Sequence, residues 1–293
     1  MLDAAAYPLR AKAAPPLPVD RMVIGQRIED AADLLPRLFN LCRVAQGVAA
    51  RAAFGLDPEP GWQAALRAEI LREHVVKLCL KWPGLLSLPP VALPRDWASN
   101  PAALRRALFG RTCAVPADLD QWCASGEGSA PVLRALRDLF DPGEATRGAL
   151  PLTGADTALD PTAQENSVAA RHADHPLLRT TEQRYGRGPL WSAIAVLIDI
   201  DATLEGALPP AEPRPGRAVV PAARGLYAIE ATVTDGIVRS FVRMTPTDHL
   251  LAPQGALAQA LASLPASRAQ ALAPIVVAVM DPCVPLTLEP ADA

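Results

Sequence analysis

The sequence predicts a mainly α-helical protein with a small antiparallel β-hairpin or sheet. Over most of the chain, apolar residues recur at three- and four-residue steps, which is the spacing of a helix with one buried face. The spacing changes near the C-terminal third of the chain, where residues 226–233 and 237–244 are rich in β-branched and aromatic residues. Between these two runs stands Asp235-Gly236, a strong hairpin signal.

Composition restricts the class of protein. The 293 residues carry a formal net charge of −3, so no basic surface suggests nucleic acid as a partner. The longest apolar run, residues 190–198, is too short to span a bilayer. Five scattered cysteines do not form a disulfide framework and favour a reducing compartment. We therefore predict a cytoplasmic protein without nucleic-acid partners or membrane insertion.

Helices can be placed from apolar spacing and capping residues. The first is predicted over residues 34–50, with Pro36 in its first turn, where the missing N–H of proline costs nothing. The second is predicted from about residue 60 to residue 82, where Pro83-Gly84 ends it. Further helices are predicted at about residues 101–109, 116–124, 131–140, 188–201, 254–264 and 267–279.

The stretches between these helices are read from their proline, glycine and polar residues. Residues 1–26 are expected to be extended, with a short strand at residues 22–24. Residues 209–221 are expected to form a proline-rich linker. The domain prediction is a single unit over residues 1–293, with a loop or partly disordered stretch near residues 141–175.

Two cysteines stand out by their surroundings. Cys42 and Gln46 lie one turn apart on the predicted first helix, and a thiol near a helix start would have a depressed pKa. Cys283 follows Asp281-Pro282 near the end of the chain. The residues alone favour buried core cysteines, which are common in helical proteins.

The segment around Cys42 resembles the first cysteine motif of nickel–iron hydrogenase large subunits, which reads Arg-x-Cys-Gly-x-Cys-x-x-x-His. Arg37 and Cys42 keep the arginine and the second cysteine of that motif. Phe39 replaces its first cysteine, and Gln46 takes the position of its histidine.

The segment around Cys283 resembles the second motif, Asp-Pro-Cys-x-x-Cys-x-x-His. Asp281, Pro282 and Cys283 match it, whereas Leu286 and Glu289 replace the last cysteine and the histidine. Half of the metal thiolates are therefore missing. This pattern resembles the hydrogenase expression/formation proteins of the HupK type, which are relatives of the large subunit that act in maturation.

The hairpin region resembles the same family. Arg224-Gly225 matches its Pro-Arg-Gly, with Ala223 for the proline, and residues 245–247 match its Thr-Pro-Thr/Ser. In that family these segments surround the cyanide ligands of iron. The resemblance implies a reduced large-subunit fold and a site in which Cys42 and Cys283 bind metal. The residues implied to surround the cofactor are Arg224, Pro246, Thr247 and Gln46.

The resemblance predicts a maturation scaffold for a nickel–iron hydrogenase. It would bind or hand over the iron–dicyanide–carbonyl group through Cys42 and Cys283, with no nickel, and its partners would be hydrogenase subunits and maturation proteins. The alternative is a metal-free protein that docks those partners. A working hydrogenase is disfavoured because two thiolates cannot build a site of four. A redox dithiol formed by Cys42 and Cys283 is a further hypothesis.

Other polar residues receive no predicted role. His74 is interpreted as a histidine at the edge of the core, and His172 and His175 as part of a surface turn. Asp199 and Asp201 do not share a helix face and predict no paired-carboxylate site. The remaining residues without an assigned role are Glu29, Cys79, Cys113 and Cys123.

Overall fold

Helices dominate the fold in the computed structural model, which describes residues 9–39, 41–208 and 211–291. The helices are α1 (Val19–Val23), α2 (Ile28–Leu38), α3 (Arg43–Ala53), α4 (Trp62–Val76), α5 (Trp82–Leu85), α6 (Pro101–Phe109), α7 (Leu119–Ser125), α8 (Ala130–Leu139), α9 (Val168–Arg171), α10 (Pro176–Tyr185), α11 (Pro189–Leu204), α12 (Pro246–Leu251), α13 (Ala256–Ala262) and α14 (Ala266–Met280). The predicted fold class is confirmed.

The strands form two antiparallel sheets. They are β1 (Leu9–Ala13), β2 (Glu212–Arg214), β3 (Arg217–Ala222), β4 (Gly225–Thr234), β5 (Ile237–Met244) and β6 (Leu286–Pro290). One sheet has the order β2-β3-β4-β5, and β1 pairs with β6 in the other. The predicted hairpin is β4-β5, closed with Thr234 opposite Ile237. The linker prediction for residues 209–221 is wrong over β2 and β3, because this stretch adds two strands to the hairpin; residues 209–210 lie outside the described residues.

The predicted single helix over residues 34–50 is two helices. Phe39 ends α2 in an extended conformation, and Cys42 begins α3 in the left-handed region, with φ 56° and ψ 39°. Asn40, in the break, lies outside the described residues. Pro36 therefore stands in the last turn of α2, where it packs within 3.3 Å of the position that a Cβ on Gly47 would take. The two helices form an αα-hairpin because a tertiary contact, described below, caps α3.

The second predicted helix is confirmed over α4, which runs on through a π-helical turn at Lys77–Lys81 into α5. Its predicted end at Pro83-Gly84 is wrong, because both residues lie within α5. The cap signal of α6 is also confirmed, since the side chain of Asn100 accepts a hydrogen bond of 3.0 Å from the amide of Ala103. Helices α7, α8, α11, α13 and α14 overlap the predicted segments.

The core has three main parts. Helix α11 is buried nearly all round at the centre of a helical cluster that includes Trp82 and Trp191. Helices α2 and α3 pack on the four-stranded sheet, and the buried alanines of α3 permit a close approach. Helices α13 and α14 form a third cluster, against which Leu9 of β1 and Leu288 of β6 pack.

Two irregular stretches differ from their predictions. Residues 1–26 contain β1 and the short helix α1, so the strand predicted at 22–24 is wrong; residues 1–8 lie outside the described residues. The stretch predicted as a loop near residues 141–175 is irregular up to residue 166, but it contains α9 and is not simply a surface loop. Arg147 and Glu165 within it are buried and form an ion pair of 2.8 Å. Among the described residues, no helix combines the length and the apolarity needed to cross a bilayer.

Candidate metal and cofactor site

The site is built around the tight turn between β3 and β4, which carries Arg224. Ala222 and Gly225 face each other at the base of this turn. Gly225 has φ 151°, and a Cβ there would lie 2.3 Å from the backbone oxygen of Asn166. Only glycine fits such a close approach of two backbones. The turn is therefore pressed against the irregular stretch, and Arg224 is directed into the protein with 7% exposure.

Arg224 joins the two ends of the chain. Its Nη1 donates to the sulfur of Cys42 at 3.6 Å. Its Nε donates to the backbone oxygen of Asp281 at 2.9 Å, and its Nη2 lies 2.9 Å from a carboxylate oxygen of the same residue. Cys42 lies 182 residues before Arg224 in the chain, and Asp281 lies 57 residues after it. One guanidinium thus contacts two segments that are distant in sequence.

Burial raises the pKa of the Cys42 thiol above its ordinary value of 9.0, and the neighbouring guanidinium of Arg224 acts in the opposite direction. The depressed pKa predicted from the helix start is wrong, because removal of the thiolate from water is the largest effect. In the free protein the Cys42 sulfur is consequently a protonated thiol at neutral pH.

A charged stripe along α4 and the π-helical turn that continues it completes the site. Glu69, Glu73 and Lys77 are spaced four residues apart, so they lie on one face of the helix. The Nζ of Lys77 is 2.7 Å from the Asp281 carboxylate, and Glu73 lies 3.7 Å from Arg224. Sequence reasoning missed all three residues, although their regular spacing was a visible signal. The interpretation of this helix considered its apolar face only.

Glu69 supplies the contact that starts α3. Its carboxylate accepts from the backbone amides of Val44 at 2.7 Å and Ala45 at 3.2 Å. These are amide groups that a helix cannot satisfy by itself. The carboxylate thereby stabilises the chain reversal that places Cys42 beside Arg224.

The buried charges of the site perturb one another. Burial lowers the pKa of Lys77, while Asp281 beside it acts in the opposite direction. For Asp281, burial acts to raise the pKa, but the cations of Lys77 and Arg224 together lower it. The network therefore favours an ionised Asp281 held between two cations.

Helix α12 contacts the segment that carries Cys283. Thr245 caps this helix with a capping box formed with Asp248, and Pro246 stands at its start. The side-chain oxygen of Thr247, which is buried, accepts a hydrogen bond of 2.9 Å from the backbone amide of Cys283. Since this oxygen accepts from the protein, its own O–H remains available to a ligand.

Gln46 lies on the first turns of α3. Its side-chain amide donates to the backbone oxygen of Leu41 at 2.7 Å. Its Oε1 is buried and has no hydrogen-bond partner among the described residues. An unpaired buried acceptor is costly, so Gln46 is positioned by the protein but not fully satisfied by it.

A cavity of about 50 Å³ lies next to the turn. Its walls include the cationic residues Lys77, Arg147 and Arg224 together with Pro246 and Asp281. Neither Cys42 nor Cys283 is part of these walls. Such a small cavity, bordered by cations, suits a small ligand that accepts hydrogen bonds.

Two of the predicted cofactor residues, Arg224 and Pro246, line this cavity, whereas Thr247 and Gln46 do not. Across residues 9–39, 41–208 and 211–291, no group of three or more His, Cys, Asp or Glu side chains is placed to hold a metal ion. A metal here would rely on Cys42 and Cys283 and on ligands that it brings with it. That the two sulfurs share one metal stays a prediction.

The histidines outside this site have structural partners. His74 is fully buried, and its Nε2 is 2.8 Å from Asp199, so its interpretation as an edge residue is wrong. His172 lies 2.7 Å from the other oxygen of Asp199 and is part of the same network, not of a free surface turn. His175 accepts from the amide of Leu177 at the start of α10.

The other cysteines and Glu29 have contacts away from the Arg224 site. Burial raises the pKa of Cys79 to about 12 and that of Cys123 to about 11. Cys113 stands at the end of a turn, and its sulfur points to the oxygen of Gly110 at 3.6 Å. Glu29 forms an exposed ion pair with Arg27 at 3.5 Å.

Solved structures with the same fold are hydrogenases. The chain resembles the Ni-Fe-Se hydrogenase from D. vulgaris Hildenborough in the as-isolated oxidized state, with a TM-score of 0.56, 12% identity and coverage of 94% of this chain and 95% of that chain. It also resembles an NAD+-reducing [NiFe]-hydrogenase in the H2-reduced state, with a TM-score of 0.53, 16% identity and coverage of 92% and 90%. The chain therefore shares the fold of these hydrogenases.

Sequence comparison defines the family of the chain. The chain is 51% identical over 274 residues to the hydrogenase expression/formation protein HupK of Rhodobacter capsulatus, covering 94% of this chain and 90% of that protein. It is 33% identical to HupK of Azotobacter vinelandii over 143 residues, 44% of this chain and 40% of that protein. No family model matches the chain. The chain belongs to the HupK family of hydrogenase expression/formation proteins, as the motifs predicted.

Proposed function

We propose that this protein is a maturation scaffold that binds or hands over the iron–dicyanide–carbonyl group of a nickel–iron hydrogenase. The observation that carries the proposal is the position of Arg224, which contacts both Cys42 and Asp281 in one buried site. The names of the relatives support a role in hydrogenase maturation. The iron group, the residues that bind it and the partner proteins are part of the proposal.

The donors around the site match the chemistry of such a cargo. Cyanide bound to iron accepts hydrogen bonds, and charged or hydroxyl donors in a dry cavity bind it well. Arg224, Lys77 and the free O–H of Thr247 supply donors of these kinds. Pro246 adds a rigid wall, and Gln46 adds a polar group with an unpaired oxygen.

Cys42 is the proposed principal thiolate, and Cys283 is the second. A metal binds the thiolate, so loading releases a proton from Cys42, and the adjacent Arg224 stabilises the resulting negative charge. The nickel site of a working enzyme is not expected, because the motifs lack the thiolates that nickel favours. For the same reason, we propose that the protein is not an enzyme.

The proposed partners are hydrogenase subunits and other maturation proteins, and we expect the exchange to take place in the cytoplasm. The number of thiolates is suited to a carrier, since a site with fewer protein ligands releases its metal more readily. The proposed order is arrival of the iron group at Cys42, stabilisation by Arg224 and transfer to the hydrogenase precursor.

Anaerobic purification followed by infrared spectroscopy tests the proposal. Wild-type protein is expected to show cyanide and carbonyl stretching bands, and Cys42→Ala is expected to lose them. Cys113→Ser is the matched control, because Cys113 lies away from Arg224 and should leave the bands unchanged. Maturation of the hydrogenase in cells provides the second measurement. Full maturation with both Cys42→Ala and Cys283→Ala would refute the carrier function.

One observation favours the alternative, a metal-free protein that docks hydrogenase partners. The buried charges already balance without metal, since Lys77 and Arg224 pair with Asp281 and Glu73. Absence of infrared bands from wild-type protein, together with normal maturation by the cysteine variants, would establish this docking function in place of the carrier.

A further inference from the structure

We propose that Arg171, held by Asp199, and Asn166 are positioning residues that set the Arg224 turn against Cys42. Neither residue touches the sulfur or lies in the cysteine motifs. Both residues lie between Glu165 and His172, in a stretch that contacts the backbone on both sides of the turn. The functional importance of this role rests on the proposed function, whereas the positioning itself is a property of the metal-free protein.

Arg171 binds the turn at both of its sides. Its Nη2 donates to the backbone oxygen of Ala222, at the end of β3, and to that of Gly225, at the start of β4, the latter at 2.6 Å. One guanidinium nitrogen thus holds the two strands where they enter and leave the turn. The two residues between these contacts, Ala223 and Arg224, have little freedom to shift.

Asp199 fixes the orientation of Arg171. One of its oxygens is 3.0 Å from Arg171 Nη1 and 2.8 Å from the Nε2 of His74, and the other is 2.7 Å from the Nε2 of His172. The carboxylate is buried in the middle of α11. Three donors on a single buried carboxylate leave only one well-satisfied arrangement of the guanidinium.

Asn166 holds the next residue of β4. Its Oδ1 accepts from the amide of Leu226 at 2.6 Å, and its Nδ2 donates to the oxygen of Leu226 at 2.9 Å. The same Nδ2 lies 2.9 Å from the Nδ1 of His249, and the Nε2 of that histidine donates to the oxygen of Asp160 at 2.8 Å. This second contact is independent of Asp199.

The geometry at Cys42 depends on these contacts. Arg224 reaches the sulfur at 3.6 Å through a side chain anchored on a two-residue turn. If the turn moves outward, the guanidinium moves away from the sulfur and the thiolate loses its nearest cation. The reactivity of the Cys42 sulfur toward an alkylating reagent therefore reports the position of the turn.

Alkylation of Cys42 by iodoacetamide in metal-free protein at one fixed pH, followed by mass spectrometry of the Cys42 peptide, tests the proposal. We expect Arg171→Gln to lower the alkylation rate several-fold, because the guanidinium of Arg224 moves away from the sulfur. Arg171→Lys should restore part of the rate, since an ammonium group can still donate to a carbonyl oxygen. Asn166→Ser is expected to change the rate in the same direction as Arg171→Gln.

The matched control is Arg105→Gln. Arg105 also pairs with an aspartate of α11, Asp201, only two residues from Asp199, but it makes no contact with the turn. This control should change stability without changing the alkylation rate. If Arg171→Gln fails to fold, Asn166→Ser carries the test. Unchanged rates in the folded variants, or an equal change in Arg105→Gln, would overturn the positioning role.

The experiment separates this role from the proposed function. Alkylation requires no iron, so a missing infrared spectrum in wild-type protein leaves the positioning role intact. Conversely, a protein that carries iron but shows no effect of Arg171→Gln retains its carrier function and loses the positioning role.

Discussion

At the scale of single residues, Asp199 is a buried carboxylate that accepts from three side chains. Although burial acts to raise its pKa, Arg171, His172 and His74 together hold the pKa of this carboxyl well below the ordinary 3.8. Burial is also the main reason why the pKa of His74 is lowered from 6.5, so its imidazole stays neutral. The network combines one carboxylate, one guanidinium, the neutral imidazole of His74 and the imidazole of His172.

Asp199→Asn is expected to lower the free energy of unfolding by about 3–5 kcal/mol, because Arg171 would remain buried without its counter-charge. Urea unfolding at neutral pH measures the loss. The control is Asp201→Asn, whose partner Arg105 is partly exposed, and it should cost about 1 kcal/mol or less. Equal losses in the two variants would contradict the assignment of Asp199 as the central buried charge.

Stability should fall as the pH falls through the region below 6.5. The folded state depresses the pKa of His74, so in this window the unfolded chain binds more protons than the folded chain. Acidification therefore stabilises the unfolded state relative to the folded state. Asp199 adds an effect of the same sign below 3.8. Burial raises the pKa of Glu69, so that residue contributes the opposite slope above 4.5.

His74→Gln isolates the histidine in this profile, because glutamine can still donate to Asp199 but does not titrate. The free energy of unfolding of this variant should depend less on pH than that of wild type between pH 5 and 7, as measured by urea titration. Parallel curves for the two proteins would show that His74 does not cause the acid sensitivity.

At the scale of elements, the β3-β4 turn is packed so closely that it is sensitive to a single added atom. Gly225→Ala should destabilise the protein by more than about 1 kcal/mol, because its backbone conformation disfavours a side chain and its Cβ would meet Asn166 at 2.3 Å. Gly84→Ala is the control, since a Cβ there meets nothing within 4 Å and the residue is helical. That change should stabilise by about 0.5–1 kcal/mol. Equal effects on urea unfolding would count against the close packing of the turn.

At the scale of the whole molecule, the question is whether the chain unfolds as one unit. We propose a single domain, because β1 and β6 pair beside α13 and α14, while α11 connects the clusters. Leu66 lies in the cluster that α2 and α3 form with the four-stranded sheet. Leu66→Ala would leave a cavity there and is expected to lower the free energy of unfolding by about 2–5 kcal/mol.

The measurement is urea unfolding followed in parallel by tryptophan fluorescence and circular dichroism. Trp82, Trp122 and Trp191 belong to the helical cluster, whereas Leu66 belongs to the other one. Trp62 packs on the cluster of Leu66, so it is replaced by Phe in both proteins that are compared. In a single domain both probes shift together in Leu66→Ala. A fluorescence transition that stays at its wild-type midpoint would show that the two clusters unfold separately.

The sequence by itself determined the helical class, the β4-β5 hairpin and the cap at Asn100, because each depends on residues close together in the chain. It also identified the family, since the motifs at Cys42, Arg224 and Cys283 can be read without coordinates. Only the tertiary structure decided that the Cys42 helix is broken, because the cap comes from Glu69 on another helix. It likewise turned Lys77 inward to Asp281 and set the direction of the Cys42 pKa. Burial and charge pairing depend on residues that are distant in sequence, and helical spacing carries no information about what a charged face will contact.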